Sequence, residues 1–230
     1  MLELKRLEIR QQSFRLSADF AVSAGRRVAV IGPSGAGKST LLSVIAGFFA
    51  QTSGEVLWDG QLLDGVGPGK RPIAMLFQDG NLFPHLDIAR NVGLGISPAL
   101  RLSAQDRARV EDALARVGLG GMGARLPSAL SGGQQSRAAL ARILVQNRPL
   151  LLLDEPFAAL GPALRVEMLD LVSALVRETG ATLLMVSHDP EDARRIAEEI
   201  ILVDDGVAHP PEDAAAMLAN PPEALRRYLG

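Results

Sequence analysis

Three stretches of this chain carry residue types at spacings suited to phosphate chemistry. Gly32-Pro33-Ser34-Gly35-Ala36-Gly37-Lys38-Ser39-Thr40 matches G-x-x-x-x-G-K-[ST] in full, between the apolar run Val28-Ala29-Val30-Ile31 and the apolar segment Leu41-Leu42-Ser43-Val44-Ile45-Ala46. A buried strand before such a loop and a helix after it are the context the motif needs. The glycines let successive N–H groups converge on an anion, and the helix start adds its dipole. Lys38 supplies a mobile positive charge for the β- and γ-phosphates, and Ser39 a hydroxyl for a Mg²⁺ ion bridging them. The loop is read as the seat of a nucleoside triphosphate.

Leu150-Leu151-Leu152-Leu153-Asp154-Glu155 reads as a buried strand ending in two carboxylates. Carboxylates there lie at the ligand edge of a parallel sheet. Asp154 is placed to hold Mg²⁺, through its water, and Glu155 to polarise the water attacking the γ-phosphate. Leu130-Ser131-Gly132-Gly133-Gln134-Gln135 offers a hydroxyl and two glycine amides at a helix start, a second anion site lacking only a lysine.

The elements positioning these residues follow from periodicity. Residues 2–25 alternate apolar and polar as half-buried strands ending at Ala24-Gly25, and Gly54–Trp58 turns at Asp59-Gly60 into a second pair, giving a small antiparallel layer. Ile73–Phe77 reads as another strand, closed by Gln78-Asp79-Gly80. From Pro84 the pattern turns helical (86–92, 104–117, 134–146), then alternates strand (150–153), helix (163–178), strand (182–186), helix (190–198) and strand (200–203). That alternation implies a mostly parallel sheet with right-handed crossovers. Pro210–Gly230 reads as two short surface helices.

The 230 residues, 47% hydrophobic, suffice for a buried core. A net charge of −2 gives no general electrostatic reason to bind nucleic acid or anionic lipid. The chain has no cysteine, so disulfides and thiolate metal sites are excluded. No apolar run approaches a bilayer span and Met1-Leu2-Glu3-Leu4-Lys5 is no signal peptide, so a soluble, intracellular chain is expected.

The loop at 32–40, Gln78, Leu130–Gln135, Asp154-Glu155 and Ser187-His188-Asp189 stand in the order found in ATP-binding subunits of ABC transporters, which the whole chain resembles. The resemblance implies a P-loop, RecA-like α/β core (residues 1–83 and 147–230) with an antiparallel β-layer and an inserted helical subdomain at 84–146. It implies a head-to-tail homodimer, each ATP clamped between the phosphate loop of one copy and the Ser-Gly-Gly-Gln helix start of the other. It assigns Gln78 to sensing Mg²⁺ and water, and His188 to the γ-phosphate. Integral-membrane permease subunits, an extracytoplasmic solute-binding protein, a peripheral place on the cytoplasmic face of the inner membrane and no nucleic acid complete what it implies. Asn81-Leu82-Phe83-Pro84-His85-Leu86 is read as forming the permease groove, the alternative being core of the helical subdomain. Phe14 either stacks on adenine or packs within its strand layer.

Two departures stand out. Ala158-Ala159-Leu160-Gly161 lacks the carboxylate that this family carries at the last position, and Gln135-Ser136-Arg137 replaces a more usual Arg-Gln-Arg. Met75–Gln78, Asn81–Leu86, Asn91–Gly95 and Thr182–His188 look most like ATPase subunits of bacterial thiamine importers. Molybdate, sulfate, iron or polyamine import is the alternative cargo reading. A soluble ABC ATPase acting on DNA or ribosomes, and a clamp with little hydrolysis, are the further alternatives.

Overall fold

The computed structural model describes residues 1–78 and 82–229, with side chains described for residues 1–78 and 82–226. Its strands are β1 (Leu2–Gln11), β2 (Phe14–Val22), β3 (Arg27–Ile31), β4 (Ser53–Trp58), β5 (Gln61–Leu62), β6 (Ile73–Leu76), β7 (Leu150–Asp154), β8 (Thr182–Val186), β9 (Glu199–Asp204), β10 (Val207–Ala208) and β11 (Glu212–Asp213). Its helices are α1 (Lys38–Ala46), α2 (Ile88–Gly93), α3 (Ala104–Arg116), α4 (Gly132–Leu144), α5 (Pro162–Thr179), α6 (Pro190–Ile196), α7 (Ala214–Ala219) and α8 (Glu223–Leu229).

In the N-terminal layer, β1 pairs antiparallel with β2 on one side and β4 on the other. Its apolar residues are not in strict alternation: Leu2 and Leu4 are followed by Leu7 and Ile9, yet all four are buried. A register shift between Leu4 and Leu7, with Arg6 at φ 47°, absorbs the extra residue and returns Leu7 to the buried face.

The second layer is parallel throughout its centre, in the order β9-β3-β8-β7-β6. Strands this apolar must be covered on both faces, as parallel sheets are. One face carries Leu150 and Leu152 against α1 and the antiparallel layer. The other carries Leu151 and Leu153 in one continuous core with α2 to α5. The helical insertion therefore shares its core with the sheet.

Helix boundaries follow local chemistry. Asp87 accepts from the Arg90 amide, so α2 starts at Ile88 and not at Leu86. Ser103 with Asp106, and Ser131 with Gln134, close capping boxes that start α3 and α4. Two short strands went unread in the sequence. β10 pairs antiparallel with β9 and parallel with β2, joining the two layers into one sheet, and β11 pairs with β9. The C-terminal helices are less superficial than expected: Ala214, Met217, Leu218 and Leu225 form a third core with Ile31 and Ile200.

Candidate active site

The phosphate loop leaves β3 at the C-terminal edge of the parallel sheet and enters α1. Gly32 has φ +152°, and a Cβ there would come within 2.0 Å of the Val203 carbonyl oxygen on β9. Gly37 caps α1 at φ +101°, where a Cβ would lie 2.4 Å from Cζ of Phe14. At Gly32 a side chain would require backbone movement, and at Gly37 it would displace the Phe14 ring and strain a left-handed backbone. Phe14 thus stands directly beside the loop, partly buried against the core.

Lys38 is buried, and its Nζ donates to the carbonyls of Gly32 (2.8 Å) and Pro33 (2.9 Å), folding the ammonium back over the loop. Burial pushes its pKa down, against the opposing pull of Glu155 and Asp154. Next along the helix, Ser39 Oγ donates to Asp154 Oδ1 at 2.8 Å. Burial raises the Asp154 pKa and the charge of Glu155 adds to the rise, while the Ser39 hydrogen bond and Lys38 hold it back. Ser34, Gly35 and Ala36 complete the loop between these anchors, and Thr40 follows in the first turn of α1.

The rear of α1 is fixed as firmly as its front. The buried Arg71 donates through Nη1 to the carbonyls of Val44 (2.9 Å) and Ile45 (2.6 Å), a cation at the negative end of the helix dipole.

Glu155 takes up the left-handed region at φ 45°, and its N–H still reaches the Val186 carbonyl at 3.2 Å. The chain therefore turns sharply where the strand ends. A non-glycine residue held there costs on the order of 1–3 kcal/mol, a strain that gathers at functional sites. The turn sets the Glu155 carboxylate 3.5 Å from Nδ1 of His188, which follows the adjacent strand β8.

Gln78 is exposed and shares a cleft of ≈ 630 Å³ with Pro84, Gly132, Gln135 and Ala159. Ser131 and Gly132 are exposed at the start of α4, whereas Gly133 is buried, and a Cβ there would meet Leu164 Cδ2 of α5 at 2.2 Å and displace that side chain. Ser131 Oγ accepts from the Gln134 N–H at 3.4 Å, and Gln134 Oε1 accepts from the Ser131 N–H at 3.0 Å. The serine caps its own helix and keeps its hydroxyl proton for another acceptor. Of the segment read as a groove, Leu82 packs against the core, Phe83 is exposed and Leu86 is half-buried. Asn81, Asp79 and Gly80 lie outside the described residues.

Several positioning residues carried no sequence signal. Asn91 is fully buried: its Oδ1 accepts from the Phe83 N–H at 2.7 Å, and its Nδ2 donates to the carbonyls of Phe83, Leu86 and Asp87. Arg165 and Asp192 pair across α5 and α6. A lone asparagine, or an arginine and an aspartate 27 positions apart, shows no pattern in one sequence.

A phosphate cradle on a parallel sheet, with its serine reaching a carboxylate at the end of a neighbouring strand, defines a P-loop nucleoside triphosphatase. A model of the ABC transporter family matches residues 16–158. The chain is 64% identical over 230 residues to a thiamine import ATP-binding protein, ThiQ, of Cereibacter sphaeroides, covering 100% of both chains. It is 62% identical, with the same coverage, to the protein of that name from a Ruegeria strain. Among solved structures it resembles a dimeric ATP-binding cassette in a post-hydrolysis state bound to ADP and phosphate, at TM-score 0.80 and 31% identity, covering 93% of this chain and 99% of that one. The chain belongs to the ABC transporter family, as an ATP-binding ATPase.

Proposed function

We propose that this chain is the ATP-hydrolysing subunit of a thiamine importer. The observation that carries the cargo is identity above 60% along the whole chain to two thiamine import ATP-binding proteins.

The loop amides of residues 32–40 and Lys38 bind the triphosphate, and Phe14, beside Gly37, stacks on the adenine. Ser39 Oγ and Asp154 Oδ1 form an oxygen pair suited to a hard cation that keeps most of its waters, and Gln78, exposed on the cleft it shares with Gly132, is assigned to the same ion. A Mg²⁺ ion bound by the Ser39 and Asp154 oxygens would supply positive charge to the triphosphate. Glu155 accepts the proton of the attacking water, and His188, oriented by the same carboxylate, donates to the γ-phosphate.

Residues 131–134 of a second copy close over the nucleotide, so the working form is a head-to-tail homodimer. A dimeric cassette of similar fold supports this reading. Residues 1–83 and 147–230 act as the nucleotide-binding core, and 84–146 as the helical signature subdomain. ATP binding closes the dimer, and loss of the γ-phosphate contacts releases it. The exposed Phe83, on a loop pinned by Asn91, meets the cytoplasmic side of integral-membrane permease subunits. An extracytoplasmic binding protein delivers the solute. Among the described residues no helix is long and apolar enough to cross a membrane, so attachment runs through the permease.

Uptake of labelled thiamine in cells deleted for this gene tests the cargo. Uptake falls on deletion and returns with the wild-type gene, while uptake of molybdate, sulfate, iron and polyamines is unchanged. Unimpaired thiamine uptake after deletion contradicts the cargo reading.

A further inference from the structure

His188 sits between two residues gripped by one ionic network. Ser187 Oγ donates to Asp192 Oδ2 at 2.6 Å and accepts from the Asp189 N–H at 3.1 Å. Arg165, in the first turn of α5, donates to the same Asp192 oxygen through Nη2 (2.6 Å) and Nε (3.1 Å). Its Nη1 lies 3.3 Å from Asp189 Oδ2, and its Nη2 also reaches Ser187 Oγ at 3.4 Å. Ser187 and Asp192 are buried. One guanidinium thus holds the residues on both sides of His188, from a helix that begins where the Ala158–Gly161 loop ends.

The placement of α5 gives that grip its meaning. Leu164, next to Arg165, fills the space beside the missing Cβ of Gly133, at the start of the second anion-binding helix. Gly161 offers no side chain through which the loop itself could act. The first turn of α5 therefore touches both the start of α4, through Leu164, and the His188 loop, with Arg165 as its polar end.

We infer that Arg165 is a positioning residue for hydrolysis: acting through Asp192, Ser187 and Asp189, it fixes His188 where the γ-phosphate is read. The inference rests on the role proposed above for His188. The fork geometry matters, because a lysine keeps the charge but cannot span Asp192 and Asp189 with separate, oriented N–H groups. Misplacing a catalytic group by about 1 Å costs on the order of 100-fold in rate, so the effect falls on kcat.

The test is steady-state phosphate release by the full-length chain as ATP is varied, with thermal melting alongside. Arg165→Lys is expected to lower kcat about 10- to 100-fold with KM for ATP within about twofold and an unchanged melting temperature. Ser187→Ala, which removes no charge, shifts kcat in the same direction and keeps the inference falsifiable if Arg165→Lys folds poorly. Measured in single turnover, Arg165→Lys adds nothing to His188→Ala, as residues acting through one group must. Full kcat in both Arg165→Lys and Ser187→Ala, or a loss that multiplies with that of His188→Ala, overturns the inference. Wild-type turnover in His188→Ala overturns the reading of His188 and this inference with it.

Discussion

Ser39 Oγ and Asp154 Oδ1 are joined by a 2.8 Å hydrogen bond across 115 residues of sequence. It ties the first turn of α1 to the end of β7, and brings Asp154 under the influence of Lys38 and Glu155.

The electrostatics of that junction set a stability prediction. The folded pKa of Asp154 lies above its unfolded value, so the native state holds more protons in the window above the ordinary aspartate pKa. Stability from this group is present below that window and is lost as pH rises through the folded value. Asp154→Asn is therefore expected to raise the melting temperature of the nucleotide-free chain at pH 7 and to flatten its pH dependence there. The same variant loses hydrolysis. Scanning calorimetry from pH 4 to 8 checks the first effect, and a lower melting temperature at pH 7 contradicts it.

Phe14 is placed to do two jobs, and one titration separates them. If its ring stacks on adenine, Phe14→Leu raises the Kd for ATP about 10-fold, in line with about 1–3 kcal/mol for a base on an aromatic face, while Phe14→Trp does not. Equal affinities for all three proteins, measured by fluorescent nucleotide displacement, leave Phe14 only its packing against Gly37.

Gly37→Ala meets both the Phe14 ring and a left-handed backbone. The expected cost is about 1–3 kcal/mol, together with loss of ATP binding. Chemical denaturation of the variant measures the first, and a stability equal to the wild type contradicts it.

Asn91 holds the Phe83–Asp87 loop through one amide and three carbonyl groups. Asn91→Ala removes these four hydrogen bonds, the Phe83 and Asp87 carbonyls keeping the backbone N–H of Leu86 and of residue 91, at about 1–3 kcal/mol, and loosens the surface assigned to the permease. Phe83→Glu leaves stability nearly unchanged because the ring is 46% exposed. Both variants, and Leu86→Glu, are expected to co-purify poorly with the permease. Normal co-purification of Phe83→Glu and Leu86→Glu removes this segment from the interface.

Much of this was legible because it is local. Gly32–Thr40, the strand ending in Asp154-Glu155 and the helix start at Ser131 are contiguous motifs whose chemistry sits within a few residues. The strand-helix alternation gave the parallel sheet for the same reason. What stayed hidden is relational. β10 has only two residues, and it forms a ladder because β9 and β2 flank it. Leu82 and Phe83 are adjacent apolar residues with opposite fates, decided by which reaches the core beneath. Arg165 gains its role from α6, and the left-handed turn at Glu155 from the end of β7. Charge and polarity marked none of these in advance.

Glu155→Gln tests the hydrolytic engine most directly, because the amide keeps the size of the side chain and removes the carboxylate proposed to accept the proton. With ATP binding verified by displacement titration, turnover is expected to fall by about 100-fold or more, with the ATP-bound dimer accumulating. Turnover equal to the wild type contradicts the account and removes Glu155 as the base.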